Sequence, residues 1–177
     1  MTVAVRPGPL RTRRLDLVWL SPATMRALLD GRLPDLEGAA LPADWAGDIG
    51  PLLRLRLAQV ERMSEHAPWL LRAIVLRDER RVLGHIGFHG APGANALADP
   101  DAVELGYTIE TADRRHGYAS EAIPEMARWA REAGIRRVLI SIGRDNAPSL
   151  ALARALGARQ LTLVRDTDGV EIVFELP

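Results

Sequence analysis

Apolar positions along the chain recur at two periods, and the switches between them mark out the elements. Leu15, Leu17 and Trp19 alternate with Asp16 and Val18, which predicts a first strand. Ser21-Pro22 supplies an N-cap with proline at the first helical position, and Gly31 closes the segment, predicting a short helix over residues 22–30. Residues 31–50 hold Pro34, Pro42, four glycines and Trp45, and read as an irregular, partly ordered loop. From Pro51 the spacing of Leu53, Leu57, Val60 and Met63 predicts a second helix that ends before Pro68.

The period then shortens. Residues 73–76 and 82–88 read as strands of a hairpin around the charged turn Asp78-Glu79-Arg80-Arg81. A Gly/Ala/Pro loop over 90–101 leads to a strand at 103–109. The Arg-Gly segment 114–119 opens a helix that runs to about Glu132 and stops at Gly134. A strand over 137–142, a helix over 148–156 closed by Gly157, and a hairpin of 160–165 with 170–176 complete the pattern. Asp166-Thr167-Asp168-Gly169 marks the last turn. The order β-α-α-β-β-β-α-β-α-β-β is mixed α/β (α+β), with about seven strands, about four helices and a central strand–helix–strand crossover.

Composition removes several chemistries. The 177 residues carry 23 basic and 23 acidic side chains, and every basic one is Arg. Without Cys there is no disulfide, thiolate nucleophile or cysteine-ligated metal; without Lys there is no Schiff base and no Walker-type phosphate lysine. The missing Lys reflects an Arg-, Ala- and Leu-rich composition. Zero net charge argues against bulk-charge binding of nucleic acid. No apolar run reaches membrane-spanning length, and residues 1–10 lack a signal peptide's apolar core, so no membrane role and a cytoplasmic location are expected. The length and the absence of a linker or repeat suit one domain over residues 1–177.

One stretch carries candidate chemistry: Val103-Glu104-Leu105-Gly106-Tyr107-Thr108-Ile109, followed by Arg114-Arg115-His116-Gly117-Tyr118-Ala119-Ser120-Glu121-Ala122. It is a strand, a turn and a helix N-terminus, whose unpaired N–H groups and dipole favour a phosphate. Gly117 admits close backbone approach, and Arg114 and Arg115 add charge-assisted bonds. The plain alternative is a helix with arginines on a solvated turn, and these residues alone do not separate the two.

Context does. After the next strand come Asn146-Ala147-Pro148-Ser149 and a helix closing at Leu156-Gly157. With Leu10-Arg11-Thr12-Arg13-Arg14-Leu15-Asp16-Leu17 as an opening strand and Val82-Leu83-Gly84-His85-Ile86-Gly87 as a third, the chain resembles the GNAT superfamily of acyl-CoA-dependent N-acetyltransferases. Within it the likeness is to the ribosomal-protein N-terminal acetyltransferases, and it covers nearly the whole chain. The resemblance implies a twisted mixed sheet and acetyl-CoA as co-substrate, with no metal. Arg114, Arg115, His116, Gly117, Tyr118 and Ala119 match the loop that holds the coenzyme pyrophosphate. Tyr107, Thr108 and Ile109 match the strand that pairs with pantetheine, and Asn146 matches a residue that hydrogen-bonds pantetheine.

Acyl transfer from a thioester needs a neutral amine, a stabilised oxyanion and a proton for the thiolate. Glu104 is the candidate base, acting through a water; a backbone N–H within 105–107 is the oxyanion donor, and Ser149 is a candidate acid. Each has a plainer reading. Glu104 would face solvent, Ser149 would be a first-turn helix residue, and Asn146 a cap. His66, His85 and His89 lack metal spacing and read as structural or solvated; His116 reads as a phosphate contact or as incidental. The four Trp read as packing residues, with Trp45 facing the acceptor side as the exception. Pro124 should kink or delay its helix, and Ala155 and Ala158 depart from the family's usual basic and aromatic residues. The function expected is acetyl transfer to a primary amine, either a protein N-terminus or a small-molecule amine. The alternatives are a non-catalytic acyl-CoA-binding sensor or scaffold and a phosphate-binding fold of another family. The resemblance also allows a homodimer.

Overall fold

A computed structural model of the chain describes residues 7–166 and 169–177; Thr167 and Asp168 of the last predicted turn lie outside them. The strands are β1 (Leu10–Arg11), β2 (Leu15–Trp19), β3 (Arg72–Leu76), β4 (Arg81–Phe88), β5 (Ala102–Ile109), β6 (Arg137–Gly143), β7 (Arg159–Asp166) and β8 (Gly169–Glu175). They form one sheet in the order β1-β2-β3-β4-β5-β6-β8-β7. Every pairing is antiparallel except β5 with β6, whose crossover runs through a helix. The helices are α1 (Pro22–Leu29), α2 (Trp45–Asp48), α3 (Gly50–Arg62), α4 (Tyr118–Glu132) and α5 (Ala147–Ala155). The architecture is the expected mixed α/β sheet.

Alternation along the strands sorts the core into two layers. Leu15, Leu17, Leu83, Ile86, Phe88, Val103 and Leu105 face α4 and α5, and pack on Ile123, Met126, Ala130 and Leu150. On the other face Val18, Val75 and Val82 pack on Met25, Leu28, Leu53 and Leu57 of α1 and α3. α4 forms because its buried residues recur at helical spacing, while Arg128 bonds Glu125 and Glu132 on its outer face. It ends where the Ile135 N–H bonds the Ala130 carbonyl at 3.0 Å, a Schellman closure. No helix among the described residues is long and apolar enough to cross a membrane.

Three details differ from the sequence reading. The opening strand breaks into β1 and β2, because the Thr12 hydroxyl accepts the Leu15 N–H and folds the chain back as a hairpin. The 31–50 loop contains α2, and Trp45 is 1% exposed among Met25, Leu53 and Leu57, so it packs rather than facing an acceptor. α3 ends at Arg62, before Pro68 as expected, and Pro68 lies in a separate 3-10 segment, Ser64–Trp69. Pro124 does not delay α4, which is continuous from Tyr118 to Glu132. Burial of the Ile123, Met126 and Ala130 face holds the helix across the one missing donor.

Trp69 and Trp129 also pack, while the half-buried Trp19 donates its Nε1–H to the Ala67 carbonyl. Trp69, Phe88 and Trp129 form a cluster with ring centroids 5.1–6.0 Å apart, and the buried Arg72 guanidinium lies 5.0 Å above Trp129. His85 is buried on β4, where desolvation and the Arg56 charge push its pKa down to about 4. Its folded pKa lies below the unfolded value, so the stability it contributes is full above about pH 6.5 and is lost as pH falls toward 4. We therefore expect the melting temperature to fall between pH 7 and 4, and His85→Gln to flatten that part of the profile. An unchanged slope in the variant would exclude His85 as its source.

Candidate active site

The site originates in a parting of strands. β5 and β6 pair only from Ala102–Arg137 to Glu104–Leu139, although β5 continues to Ile109 and β6 to Gly143. Beyond that point β6 keeps its bonds to β8 and β5 keeps its bonds to β4. The Glu104 carbonyl accepts from His89 N–H, and Glu110 N–H donates to the Leu83 carbonyl, both at 2.8 Å. Alternation then directs the odd-numbered amides and carbonyls of β5, including those of Tyr107, toward the gap. The Ile109 carbonyl is taken by Arg114 Nε at 3.0 Å.

The gap opens into a cavity of about 570 Å³, lined by Tyr107, Thr108, Ile109, residues 113–115 and 117–120, Asn146 and Ser149. Asn146 caps α5, its Oδ1 accepting the Ser149 N–H at 3.2 Å. Across the cleft the Tyr107 hydroxyl and Ser149 Oγ are 3.0 Å apart. At the cavity's far end Arg115 (φ +68°) and Gly117 (φ +78°) both adopt left-handed backbone, a turn that makes successive N–H groups converge on one point. Gly117 is the N-cap of α4 and offers no capping side chain. The amides of Tyr118, Ala119 and Ser120 therefore precede the first intrahelical donor, Glu121 N–H to the Gly117 carbonyl. This concave end suits an anion.

Two ion pairs clamp the turn. Arg81 binds Asp113 through two parallel bonds of 2.8 Å, and hydrogen bonds to Asp113 and Glu79 push the Arg81 guanidinium further up. On the helix side Glu121 accepts from Thr12 Oγ1, Arg14 N–H and Arg14 Nε, the last at 2.7 Å. Burial alone would raise its carboxyl pKa, but the Thr12 and Arg14 bonds outweigh it and hold it low. Arg14 also donates to the His116 carbonyl and lies 4.7 Å over the Tyr118 ring.

A second cavity, of about 620 Å³, opens where Glu104, Arg56, Gln59, His89, Arg165 and Glu171 meet. Glu104 is 3% exposed; its Oε2 accepts the Ala96 N–H at 2.5 Å, and its Oε1 lies 3.5 Å from His89 Nδ1. Burial lowers the Arg56 pKa. β5 thus links the two cavities, with Glu104 on one and Tyr107 on the other. Among the described residues no three His, Asp or Glu gather as they would around a metal ion.

The family model described as the acetyltransferase (GNAT) domain matches residues 15–159, from β2 into the start of β7. The chain belongs to the GNAT acetyltransferase family. The uncharacterized N-acetyltransferase YjdG of Bacillus subtilis (strain 168) is 31% identical over 86 residues, 48% of this chain and 48% of YjdG, so the chain matches about half of that relative's length. An acetyltransferase from Agrobacterium tumefaciens strain C58 has the same fold at TM-score 0.63 and 24% identity, over 100% of this chain and 98% of that one. RimL, a ribosomal L7/L12 α-N-protein acetyltransferase in complex with coenzyme A, aligns at TM-score 0.64 and 16% identity, over 95% and 97% of the two chains.

Within this GNAT fold the residues singled out from sequence divide unevenly. Tyr107, Thr108, Ile109, Arg114, Arg115, Gly117, Tyr118, Ala119, Asn146 and Ser149 line one cavity together. His116 does not line it: its ring stacks on Tyr118 and its Nδ1 lies 3.2 Å from the Asp113 carbonyl. Glu104 borders the other cavity and is buried, not solvated. His66 is structural, its Nδ1 accepting the Ala91 N–H at 2.7 Å. Sequence reasoning missed the clamp residues Thr12, Arg14, Arg81 and Asp113, and it gave His89 no role at the site. The acid at Glu121, in the first turn of a Gly-capped helix, was the one local signal for the clamp.

The clamp yields a contrast measurable by urea denaturation. Asp113→Ala leaves Arg81 without its buried partner and is expected to lower stability by about 1–3 kcal/mol. Glu79→Ala removes the exposed partner of the same guanidinium and should change it by less than about 1 kcal/mol. Equal effects would show that the buried pair is not what fastens the turn.

Proposed function

We propose that this chain is an acetyl-CoA-dependent N-acetyltransferase, moving an acetyl group to a primary amine by direct attack of the amine on the thioester. The acceptor class is a protein N-terminus or a small-molecule amine. The observation that carries this reading is the free Tyr107 edge of β5, which runs from a convergent amide turn at α4 to a buried carboxylate at the neighbouring cavity. RimL was solved with coenzyme A and the microcin C7 self-immunity acetyltransferase MccE with acetyl-CoA, which supports a coenzyme A ligand for a chain of this fold.

Each part of the site has a task in that reaction. The 115–120 amides and the guanidinium groups of Arg114 and Arg115 hold the pyrophosphate, so the missing Lys removes nothing the chemistry needs. The open edge of β5 accepts the pantetheine amides as an added strand, fixing the thioester beside Leu105–Tyr107. A backbone N–H there meets the oxyanion as it develops. Glu104, almost wholly buried, draws the proton off the acceptor nitrogen through an intermediary. Ser149 Oγ, backed by the Tyr107 hydroxyl at 3.0 Å, gives a proton to the departing thiolate.

Thiol release measured against an amine panel tests this. At least one primary amine should raise turnover above hydrolysis, and Glu104→Gln should lower kcat by about 10²- to 10⁴-fold while coenzyme A still binds. Gly117→Glu should abolish coenzyme A binding, because the left-handed turn and the added carboxylate both oppose it. If coenzyme A binds and no amine raises turnover, the chain is a non-catalytic acyl-CoA sensor or scaffold instead.

A further inference from the structure

We infer that the acceptor is a small zwitterion, an amine with a carboxylate a few bonds away as in an α-amino acid, and that Arg56 binds the carboxylate in the cavity that Glu104 borders. This rests on the acetyl-transfer reading and narrows its acceptor class. The starting point is a buried cation without an anion. Arg56, on α3, is 8% exposed and lines the second cavity. Its Nη1 donates to Gln59 Oε1 and to the His89 carbonyl, both at 2.9 Å. Its Nε is closed off from solvent and bonds nothing, and among the described residues Nη2 has no acceptor either.

Other arginines of the chain show what is missing. Carboxylate partners push the guanidinium groups of Arg81, Arg128 and Arg137 up. Burial lowers that of Arg56, and no carboxylate counters it. Arg72, the other buried arginine, lies over Trp129, bonds the Gly8 and Leu17 carbonyls, and gains from the Glu125 charge. Taking a cation out of water without a counter-charge is expensive. The packing of α3 does not demand one at position 56, because the neutral Gln59 Nε2 already holds the same His89 carbonyl at 2.7 Å.

The chemistry of the missing anion follows from the guanidinium and from the rest of the lining. Nε and Nη2 share one edge of the guanidinium plane, the edge that recognises a planar carboxylate. The cavity is lined by Arg56 and Arg165 on the one hand and by Glu104 and Glu171 on the other. A wall that carries both signs in equal number suits a ligand that does the same. A phosphate dianion would meet two acids at once, and a plain amine would leave Arg56 without its anion. Leu55, 55% exposed, and Val164 add an apolar surface for an aliphatic side chain. In the transfer the amine nitrogen bonds to the acetyl carbonyl carbon, and the carbon–sulfur bond breaks with its electron pair on sulfur. Of the three ammonium protons one stays on the new amide, one ends on the thiol, and one leaves to solvent. The products are an N-acetyl amino acid and coenzyme A.

The test measures kcat/KM over a panel of α-amino acids, each beside its carboxamide and its decarboxylated amine, with leucine, leucinamide and isoamylamine as the leading set. Amidated peptides of the same N-terminal residues form a further arm. Wild type should prefer the free amino acid over the other forms by about 10²-fold. Arg56→Gln, with coenzyme A binding as the control for folding, should bring the amino acid to within about threefold of its carboxamide, and Arg56→Lys should keep part of the preference as a point charge. If wild type acetylates the carboxamide, the plain amine or the amidated peptide as well as the amino acid, the inference is wrong and the acetyl-transfer reading stands; this comparison needs no variant. If Arg56→Gln lowers amino acid and carboxamide in the same proportion, Arg56 has only a structural role and the inference is equally wrong. Wild-type binding of coenzyme A without transfer to any amine would instead sink the acetyl-transfer reading, and the inference with it.

Discussion

A sheet normally continues until its edge, because each backbone N–H and C=O left unpaired inside a protein is expensive. Here β5 leaves β6 after three paired residues and runs on through Tyr107 paired only on its β4 side. Everything at the site follows from that parting. β6 is drawn off by its pairing with β8, and β5 is retained by β4. α5 sits across the mouth of the gap with Ser149 against the Tyr107 hydroxyl. The result is a slot bordered by backbone groups with unused capacity, which suits a ligand carrying amides of its own.

The slot needs a fixed end. The turn before α4 contains two left-handed residues, one of them an arginine, and would be costly unless its surroundings imposed it. Two pairs do so from opposite sides: Arg81 with Asp113, and Arg14 with Glu121. The N-terminal hairpin is therefore part of the site, since Thr12 and Arg14 reach across to the first turn of α4. In a chain whose only cations besides histidine are arginines, planar bidentate pairing is available at each of these joints.

Much of this was legible in the sequence because it is local. Gly117 before an apolar helical repeat, Asn146 before Pro148, and the alternation at 103–109 each carry their meaning within a few residues. The gap itself was reached only by resemblance, for no local pattern says that a strand will leave its neighbour. The clamp was missed because Thr12 and Glu121 are 109 positions apart, and no periodicity links them. His89 was dismissed for want of metal spacing, yet its partner is a carboxylate that the β4–β5 register sets opposite it. Glu104 had a plainer reading as a solvent-facing residue on the outer face of its strand, but it is buried and its Oε2 accepts the Ala96 N–H from the 90–101 loop. Pro124 was expected to disturb α4 on local grounds, and the burial of the helix's inner face overrode them.

Backbone amide hydrogen exchange reads directly whether the β5 edge facing the gap holds the coenzyme's pantetheine arm, as proposed above. With coenzyme A added, exchange should slow at Tyr107 and across the 115–120 turn together, while β7 and α1 stay unchanged. Slowing at the 115–120 turn with no change at Tyr107 would mean that the turn binds phosphate but the strand edge holds nothing, and would contradict the claim.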